Sequence, residues 1–160
     1  MQFRHMTSVY LRRDGRLLLL YRTGSRVVNN QWIGTAGGHF EPSELNDPTA
    51  CVLRELREET GLTAGDIEHL ALRYVTLRRK NGEIRQNHYF FADLKPGIDE
   101  PASTEGRLQW FSEAELSGLD MPHSARYMLE HWLAVGRYDD RLYGGVSRAD
   151  GVDFHELNDF

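Results

Sequence analysis

The segment from Asp47 to Gly61 most constrains how this chain folds, because both ends of a helix are marked in it. Asp47 is a residue type that caps helix N-termini, and Pro48 suits the first helical position. Gly61 suits the left-handed conformation that ends many helices. The residues between Pro48 and Gly61 include no glycine and no further proline. The sequence therefore predicts one well-delimited helix at this place.

Acidic residues cluster on one side of the predicted helix. Glu55, Glu58 and Glu59 fall within about one third of its circumference, because an α-helix turns by roughly 100° per residue. These like charges repel one another, so the arrangement needs a compensating cation. Oxygen ligands with no cysteine pair and no close histidine pair nearby favour Mg²⁺ or Mn²⁺ over zinc.

A solvated surface helix is the alternative interpretation of the same residues. Its glutamates would then be balanced by Arg54 and Arg57, which the helical wheel places on the side away from the core. An apolar face beside the acidic sector argues against full exposure of that sector. The residues of this apolar face are Val52, Leu53, Leu56 and Thr60.

Nine positions in and before this helix fill a known sequence pattern. They are Gly38, Glu44, Arg54, Glu55, Leu56, Glu58, Glu59, Gly61 and Leu62. On these residues the chain resembles the Nudix hydrolase family, in particular its MutT-like members. Nine residues separate Glu44 from Arg54 where the family pattern has seven. The extra pair lies before or at the helix start, so it puts the placement of Glu44 in question but not that of the helical glutamates.

The resemblance implies both a fold and a reaction. The fold is the Nudix fold of the α/β (α+β) class, a mixed β-sheet between helices. The reaction is metal-dependent hydrolysis of a nucleoside diphosphate linked to another group. The short chain and the GGHFE start look most like enzymes that cleave nucleoside triphosphates, including oxidised ones such as 8-oxo-dGTP, to the monophosphate and pyrophosphate. An ADP-ribose or nucleotide-sugar pyrophosphatase is the close alternative, and a non-catalytic nucleotide-binding module is the alternative that is not an enzyme.

The family's catalytic roles carry over to this chain position by position. They fall on Glu55, Glu58 and Arg54, with Glu55 as the leading candidate for the general base. Arg54 is expected to hold a glutamate of the motif by ion pairing, with Glu44 as its partner. Glu105 is a further acidic candidate and the second choice for the base, although an ordinary solvated loop residue is the alternative. The implied metal ligands are the Gly37 carbonyl and the carboxylates of Glu55, Glu58, Glu59 and Glu105.

Substrate contacts are expected outside the helix. Asn30 and Trp32 precede the glycine turn, where they offer a hydrogen bond to a base edge and a stacking surface, although a turn residue and a core indole are the alternative interpretations. Gly38 and His39 lie at the turn itself, close to the expected phosphate position. Further residues that could approach a ligand are Tyr10, Arg22 and Arg78.

Length, charge and composition limit which binding partners are expected for this chain. The 160 residues match a single Nudix domain over 1–160, and the net charge of -5 disfavours a nucleic-acid polymer but permits a small nucleotide held through a metal. The lone Cys51 permits a reducing cytoplasm and is expected to be a packed residue of the helix. No apolar stretch reaches the roughly 18 residues of a membrane span, so no membrane partner is expected. The oligomeric state stays open, with a homodimer as one option.

The remaining chain predicts alternating strands and helices. The dipeptides Asp14-Gly15 and Asn81-Gly82 each predict a hairpin turn. The predicted elements are strands at 3–12, 16–22, 67–78, 84–94 and 107–111, a loop at 23–31, a brief helix with Ser112 and Glu115 as its capping box, a helix at 122–135 ended by Gly136, and a tail at 136–160 whose segments 142–146 and 152–157 form a hairpin or remain irregular.

Overall fold

The computed structural model describes residues 1–24 and 29–160. Within these residues the chain forms nine β-strands, three α-helices and three short 3-10 helices. The strands are β1 Gln2–Arg13, β2 Arg16–Arg22, β3 Gln31–Gly34, β4 Ala36–His39, β5 Ile67–Lys80, β6 Glu83–Leu94, β7 Gly106–Ser112, β8 Tyr143–Arg148 and β9 Gly151–Glu156. The α-helices are α1 Pro48–Thr60, α2 Glu113–Leu116 and α3 His123–Ala134, and the 3-10 helices are Pro42–Glu44, Ala64–Asp66 and Gly136–Tyr138.

The described strands form one mixed sheet. Its order is β3-β2-β1-β6-β5-β8-β9, with β4 also paired to β1 and β7 also paired to β2. Strand β1 is parallel to β6, and β5 is parallel to β8. The other pairs are antiparallel. The predicted mixed sheet is therefore confirmed.

Two hydrophobic clusters place α1 and α3 on opposite faces of this sheet. Successive side chains of a strand point to opposite faces. Val9 of β1 accordingly packs in the cluster that holds Leu56 of α1. Tyr10, the next residue, packs in the cluster that holds Met128 and Trp132 of α3. The sheet thus lies between helices, as the family resemblance implied.

Most predicted elements are present with small shifts of their ends. Both predicted hairpins form, and Asp14 and Asn81 adopt the positive φ that such turns require. The predicted helix at 122–135 is present as α3, with Ala125, Met128, Leu129 and Trp132 buried. The tail forms a hairpin, β8 with β9, which extends the sheet beside β5. The predicted loop at 23–31 falls partly on residues 25–28, which lie outside the described residues.

The glycine turn predicted at residues 37 and 38 is wrong. Gly37 and Gly38 lie in strand β4, which pairs with β1, and the preceding strand β3 was not predicted either. A Cβ on Gly37 would overlap the backbone of Thr7 on the neighbouring strand. Glycine is present here because two chain segments approach closely, and its low strand propensity hides that reason in the sequence.

Two predicted boundaries also differ. Helix α3 ends at Ala134, and Gly136 begins a 3-10 turn. A side chain at Gly136 would overlap the hydroxyl of Tyr74, so packing and not helix termination calls for glycine. Ser112 precedes α2 as predicted, but its hydroxyl bonds the Glu115 carboxylate at 2.8 Å and makes no bond to the helix backbone. None of the described helices has the length and hydropathy of a membrane span.

Candidate active site

Helix α1 begins and ends where its sequence predicts. The Asp47 carboxylate accepts a hydrogen bond from the Ala50 amide at 2.9 Å, and Gly61 has φ 78° and donates to the Arg57 carbonyl. Cys51 is fully buried on this helix, as predicted, and its sulfur lies 3.4 Å from the Thr7 hydroxyl. The helix is thereby held at a defined position against the sheet.

The placement of Glu44 is resolved by its contacts with Arg54. The guanidinium donates two hydrogen bonds to this carboxylate, from Nε to Oε1 at 2.6 Å and from Nη2 to Oε2 at 3.0 Å. Glu44 is only 6% exposed, and these hydrogen bonds from Arg54 lower its pKa to about 2. The two additional residues before the helix therefore leave the predicted Arg54–Glu44 pair intact.

Arg54 lies within the acidic cluster and not away from the core as the helical wheel suggested. Its Nη1 donates to Glu55 at 2.8 Å and to Glu58 at 3.1 Å. Its Nη2 also donates to the carbonyl of His39 at 3.0 Å. A long side chain reaches well beyond the sector of its own Cα, which wheel geometry does not represent. Arg54 thus joins the 3-10 turn, strand β4 and helix α1 at one point.

Glu59 lies at the other end of the acidic face, and no arginine bonds it in the described structure. Its side chain is nearly buried, at 7% exposure, and accepts a hydrogen bond of 3.3 Å from the Gly37 amide. Burial raises its pKa to about 8, and the nearby charges of Glu55 and Glu105 act in the same direction. A positive charge next to the Glu59 carboxylate would favour its ionised form.

The carboxylate of Glu55 lies directly against Gly38. A Cβ at position 38 would overlap the carboxylate oxygens, so only glycine leaves them room. Burial raises the pKa of Glu55, while its hydrogen bond with Arg54 opposes that change. The helix and strand β4 are thus fitted to each other at the position of the motif's first glycine.

A cavity of about 570 Å³ connects several of the predicted site residues. Glu55, Glu59 and Glu105 line one part of it, and Glu105 bonds Arg22 at 3.3 Å. Glu58 is not among the lining residues, and its side chain is 53% exposed where it pairs with Arg54. The cavity is also lined by Gly37, Gly38 and His39.

The structure divides the predicted substrate contacts. Gly38 and His39 line the cavity, whereas Asn30 and Trp32 are not among its lining residues. Trp32 packs edge-on against Phe111, with ring centroids 4.7 Å apart, and Asn30 is exposed. The residue between them, Gln31, does line the cavity. The three further ligand candidates, Tyr10, Arg22 and Arg78, line it too.

Sequence reasoning missed the contribution of strands β5 and β6 to this cavity. Arg85, Asn87 and Tyr89 alternate along β6 and line the cavity from one face of the sheet, together with Lys80 of β5. The signal was the two-residue period of the strand, which places these three side chains on the same side. The two-residue period alone does not show on which face of the sheet the cavity lies.

The donor set fits a hard divalent cation. Carboxylates and a backbone carbonyl are the oxygen ligands such cations prefer. Within residues 1–24 and 29–160, no three His, Cys, Asp or Glu side chains are gathered closely enough to hold a metal ion. Arg54 holds Glu55 and Glu58, while Glu59 is buried with a raised pKa. The buried Glu59 is the observation that fits a cation, because a nearby positive charge would stabilise its ionised carboxylate.

A family model for the NUDIX domain matches residues 2–132, which is most of the chain. The chain belongs to the Nudix family. It is therefore a pyrophosphohydrolase that acts on substrates in which a nucleoside diphosphate is linked to another group. Nudix hydrolases act on small nucleotides and generally use divalent metal ions.

Solved structures show the same fold. The chain is similar to a mutator MutT protein from Bacillus halodurans, with 23% identity, a TM-score of 0.65 and coverage of 96% of this chain and 97% of that one. A MutT protein from Methanosarcina mazei Go1 gives 22% identity, a TM-score of 0.66, and 85% and 96% coverage. A MutT Nudix hydrolase from Burkholderia pseudomallei gives 28% identity, a TM-score of 0.55, and 81% and 98% coverage. A search of curated proteins found no match.

Proposed function

We propose that this Nudix hydrolase cleaves nucleoside triphosphates, including oxidised ones such as 8-oxo-dGTP, to the monophosphate and pyrophosphate, with Mg²⁺ as its metal and Mn²⁺ as the alternative. The observation that carries the proposal is the shared cavity: Glu55, Glu59 and Glu105 line the same space as Gly38 and His39. The choice of triphosphates rests on the resemblance of the sequence motif to MutT-like members of the family. One catalytic unit over residues 1–160 and a cytoplasmic location belong to the same proposal.

Within this proposal the carboxylates and one carbonyl hold the cation. A bound divalent cation would offset the charge of the pyrophosphate and lower the pKa of a water molecule. The proposed ligands are the carbonyl of Gly37 and the carboxylates of Glu55, Glu58, Glu59 and Glu105. The amide of Gly37 already donates a hydrogen bond to the Glu59 carboxylate.

Arg54 is the proposed positioning residue of the site. It fixes Glu55 and Glu58 by hydrogen bonds of 2.8 and 3.1 Å and is itself held by the buried Glu44. Glu55 is the leading candidate for the base that accepts a proton from the attacking water, because its carboxylate borders the cavity and its pKa is raised by burial. Glu105 is the second candidate.

Product analysis with a substrate panel tests this proposal. The parent protein and its Glu55→Gln and Glu58→Gln variants are incubated with Mg²⁺ and nucleoside triphosphates, 8-oxo-dGTP, ADP-ribose or nucleotide sugars, and the phosphorus products are identified. We expect pyrophosphate and monophosphate from the triphosphates, with a rate reduced at least about 100-fold in both variants. Glu130→Gln, an exposed site on α3, is the matched control and should behave as the parent.

Each other outcome overturns a stated part of the proposal. Monophosphate with a sugar phosphate as the main products would replace the triphosphate assignment by that of a nucleotide-sugar or ADP-ribose pyrophosphatase. Binding of a panel member without turnover would instead indicate the non-catalytic module. Unchanged rates in both variants would remove Glu55 and Glu58 from the site.

A further inference from the structure

Three arginines lie side by side across the middle of the sheet. Arg4 of β1 is the register partner of Arg85 on β6, and Arg85 is the partner of Arg78 on β5. Register partners share a face of the sheet, and neighbouring strands are about 4.8 Å apart. The basic row is defined here as Arg78 and Arg85 together with Lys80, the three cations of this face that line the cavity.

One carboxylate, that of Glu83, makes an ion pair with the basic row among the described residues, and Glu83 is also the register partner of Lys80. Glu83 bonds Arg4 at 2.8 Å and Arg85 at 3.2 Å. Arg78 and Lys80 pair with no carboxylate among residues 1–24 and 29–160. Like charges directly opposite each other on a sheet destabilise it, so the arrangement favours an additional anion.

The basic row faces the same space as the acidic residues. Both groups line the same cavity, together with Asn87. A ligand in this cavity therefore meets both acidic and basic side chains.

The acidic and basic side chains of the cavity belong to backbone positions that are well separated on the sheet. Gly38 of β4, beside the Glu55 carboxylate, pairs with Thr7 of β1. Arg85 of the basic row pairs instead with Arg4 of β1, three residues away along that strand. Three residues along a strand span roughly 10 Å, and β6 and β5 lie a further two and three strand spacings from β4. Adjacent phosphates share a bridging oxygen and are therefore much closer together than these backbone positions, which favours a phosphate further from the cleaved anhydride at the basic row.

We propose that the basic row binds a phosphate group of the substrate that is remote from the anhydride at the glutamates. The inference rests on the proposed hydrolysis of nucleotides and extends its substrates to nucleotides that carry a further phosphate. Two sources share this chemistry: a phosphate ester elsewhere on the nucleotide, and the far end of a long polyphosphate chain. Either gives the anion that Arg78 and Lys80 lack.

Matched substrate pairs distinguish these sources. NADPH and NADH differ by one phosphate ester, and a nucleoside 5′-tetraphosphate differs from the triphosphate by one terminal phosphate. In the Arg78→Gln/Arg85→Gln double variant we expect KM to rise about tenfold for the phosphate-bearing member of one pair, with KM of its counterpart and both kcat values within about twofold. Arg79→Gln is the matched control, since Arg79 is an exposed neighbour that does not line the cavity.

Selective loss within either pair supports the inference and identifies the source of the phosphate. An equal effect on both members of both pairs, or no effect, overturns it. Calorimetric binding of the four nucleotides to the Glu55→Gln variant, with and without the double substitution, is measured in parallel. Absence of turnover in the parent together with phosphate-selective binding would overturn the proposed function and leave this inference standing; loss of selectivity in binding would overturn the inference itself.

Discussion

The acidic face of helix α1 lies between two glutamates that are equally buried and differently charged. Glu44, in the 3-10 helix before α1, is 6% exposed, and Glu59, in the last turn of α1, is 7% exposed. The pKa of Glu44 is lowered to about 2 because Arg54 donates two hydrogen bonds to it. The pKa of Glu59 is raised to about 8 because burial is opposed mainly by one amide. The partner, not the degree of burial, decides which acid is ionised and which one requires a cation.

Replacing Arg54 should have the largest effect on the difference between Glu44 and Glu59. In Arg54→Met the buried Glu44 loses its partner, and Glu55 and Glu58 lose the group that orients them. Breaking a buried ion pair costs about 3–5 kcal/mol, so we expect a loss of that size in the free energy of unfolding at neutral pH, with hydrolysis also reduced. Urea unfolding measures it, and a loss below about 1 kcal/mol would show that Arg54 does not hold this end together.

Replacing Glu44 tests the same end with a smaller change. Glu44→Gln keeps the shape but removes the charge, and we expect a loss of about 2 kcal/mol at neutral pH. The folded pKa lies below the ordinary value of 4.5, so the stabilisation is present above that value and is lost as pH falls towards about 2. The stability difference between parent and variant should shrink over this range, and a difference that does not depend on pH would contradict the assignment.

Glu59 should show the opposite pH dependence. In the metal-free protein its folded pKa lies above the ordinary value of 4.5, so it disfavours folding increasingly as pH rises from about 4.5 to about 8. Glu59→Gln should remove this slope and be more stable than the parent at pH 8, by up to a few kcal/mol, since one pKa unit corresponds to about 1.4 kcal/mol. Chemical unfolding at several pH values checks the sign.

Adding Mg²⁺ sharpens this result. At pH 8 the cation should stabilise the parent more than Glu59→Gln, because a ligand that binds only the folded state raises its stability. Equal stabilisation of both proteins would remove Glu59 from the metal site.

Arg57 gives the smallest expected effect and serves as the control for Arg54. Both arginines belong to the same RELREE string, but Arg57 is exposed and Arg54 is 16% exposed within an ion-pair network. Arg57→Met should change the free energy of unfolding by less than about 0.5 kcal/mol. A larger change, measured under the same urea conditions, would show that the difference between the two arginines is not one of burial and pairing.

Local signals predicted the helix and the hairpins well because each depends on residues close in sequence. The cap at Asp47, the stop at Gly61 and the turn at Asn81 are confirmed, since a few neighbouring residues determine such conformations. Strand β4 was missed because its glycines are selected by contacts with Thr7 and Glu55, which are distant in sequence.

The candidate site divides in the same manner. The spacing of Glu55 and Glu59 on a helix was readable, and both line the cavity. Glu58 has the same spacing but pairs with Arg54 at the surface, and Trp32 packs into the core side of the sheet. Helical spacing predicts the direction in which a side chain leaves the helix axis. The neighbouring elements determine whether that side chain faces a cavity, another side chain or solvent.

The sequence by itself determined the family motif, helix α1 with its acidic face, and the class of chemistry that these carboxylates serve. These are properties of residues joined by a few peptide bonds, where backbone geometry fixes relative position. Only the tertiary structure decided that Glu44 is neutralised while Glu59 is not, and that Arg78 and Arg85 face the same cavity as the glutamates. Burial and strand register bring together residues far apart in the chain, and electrostatic energy depends on those distances.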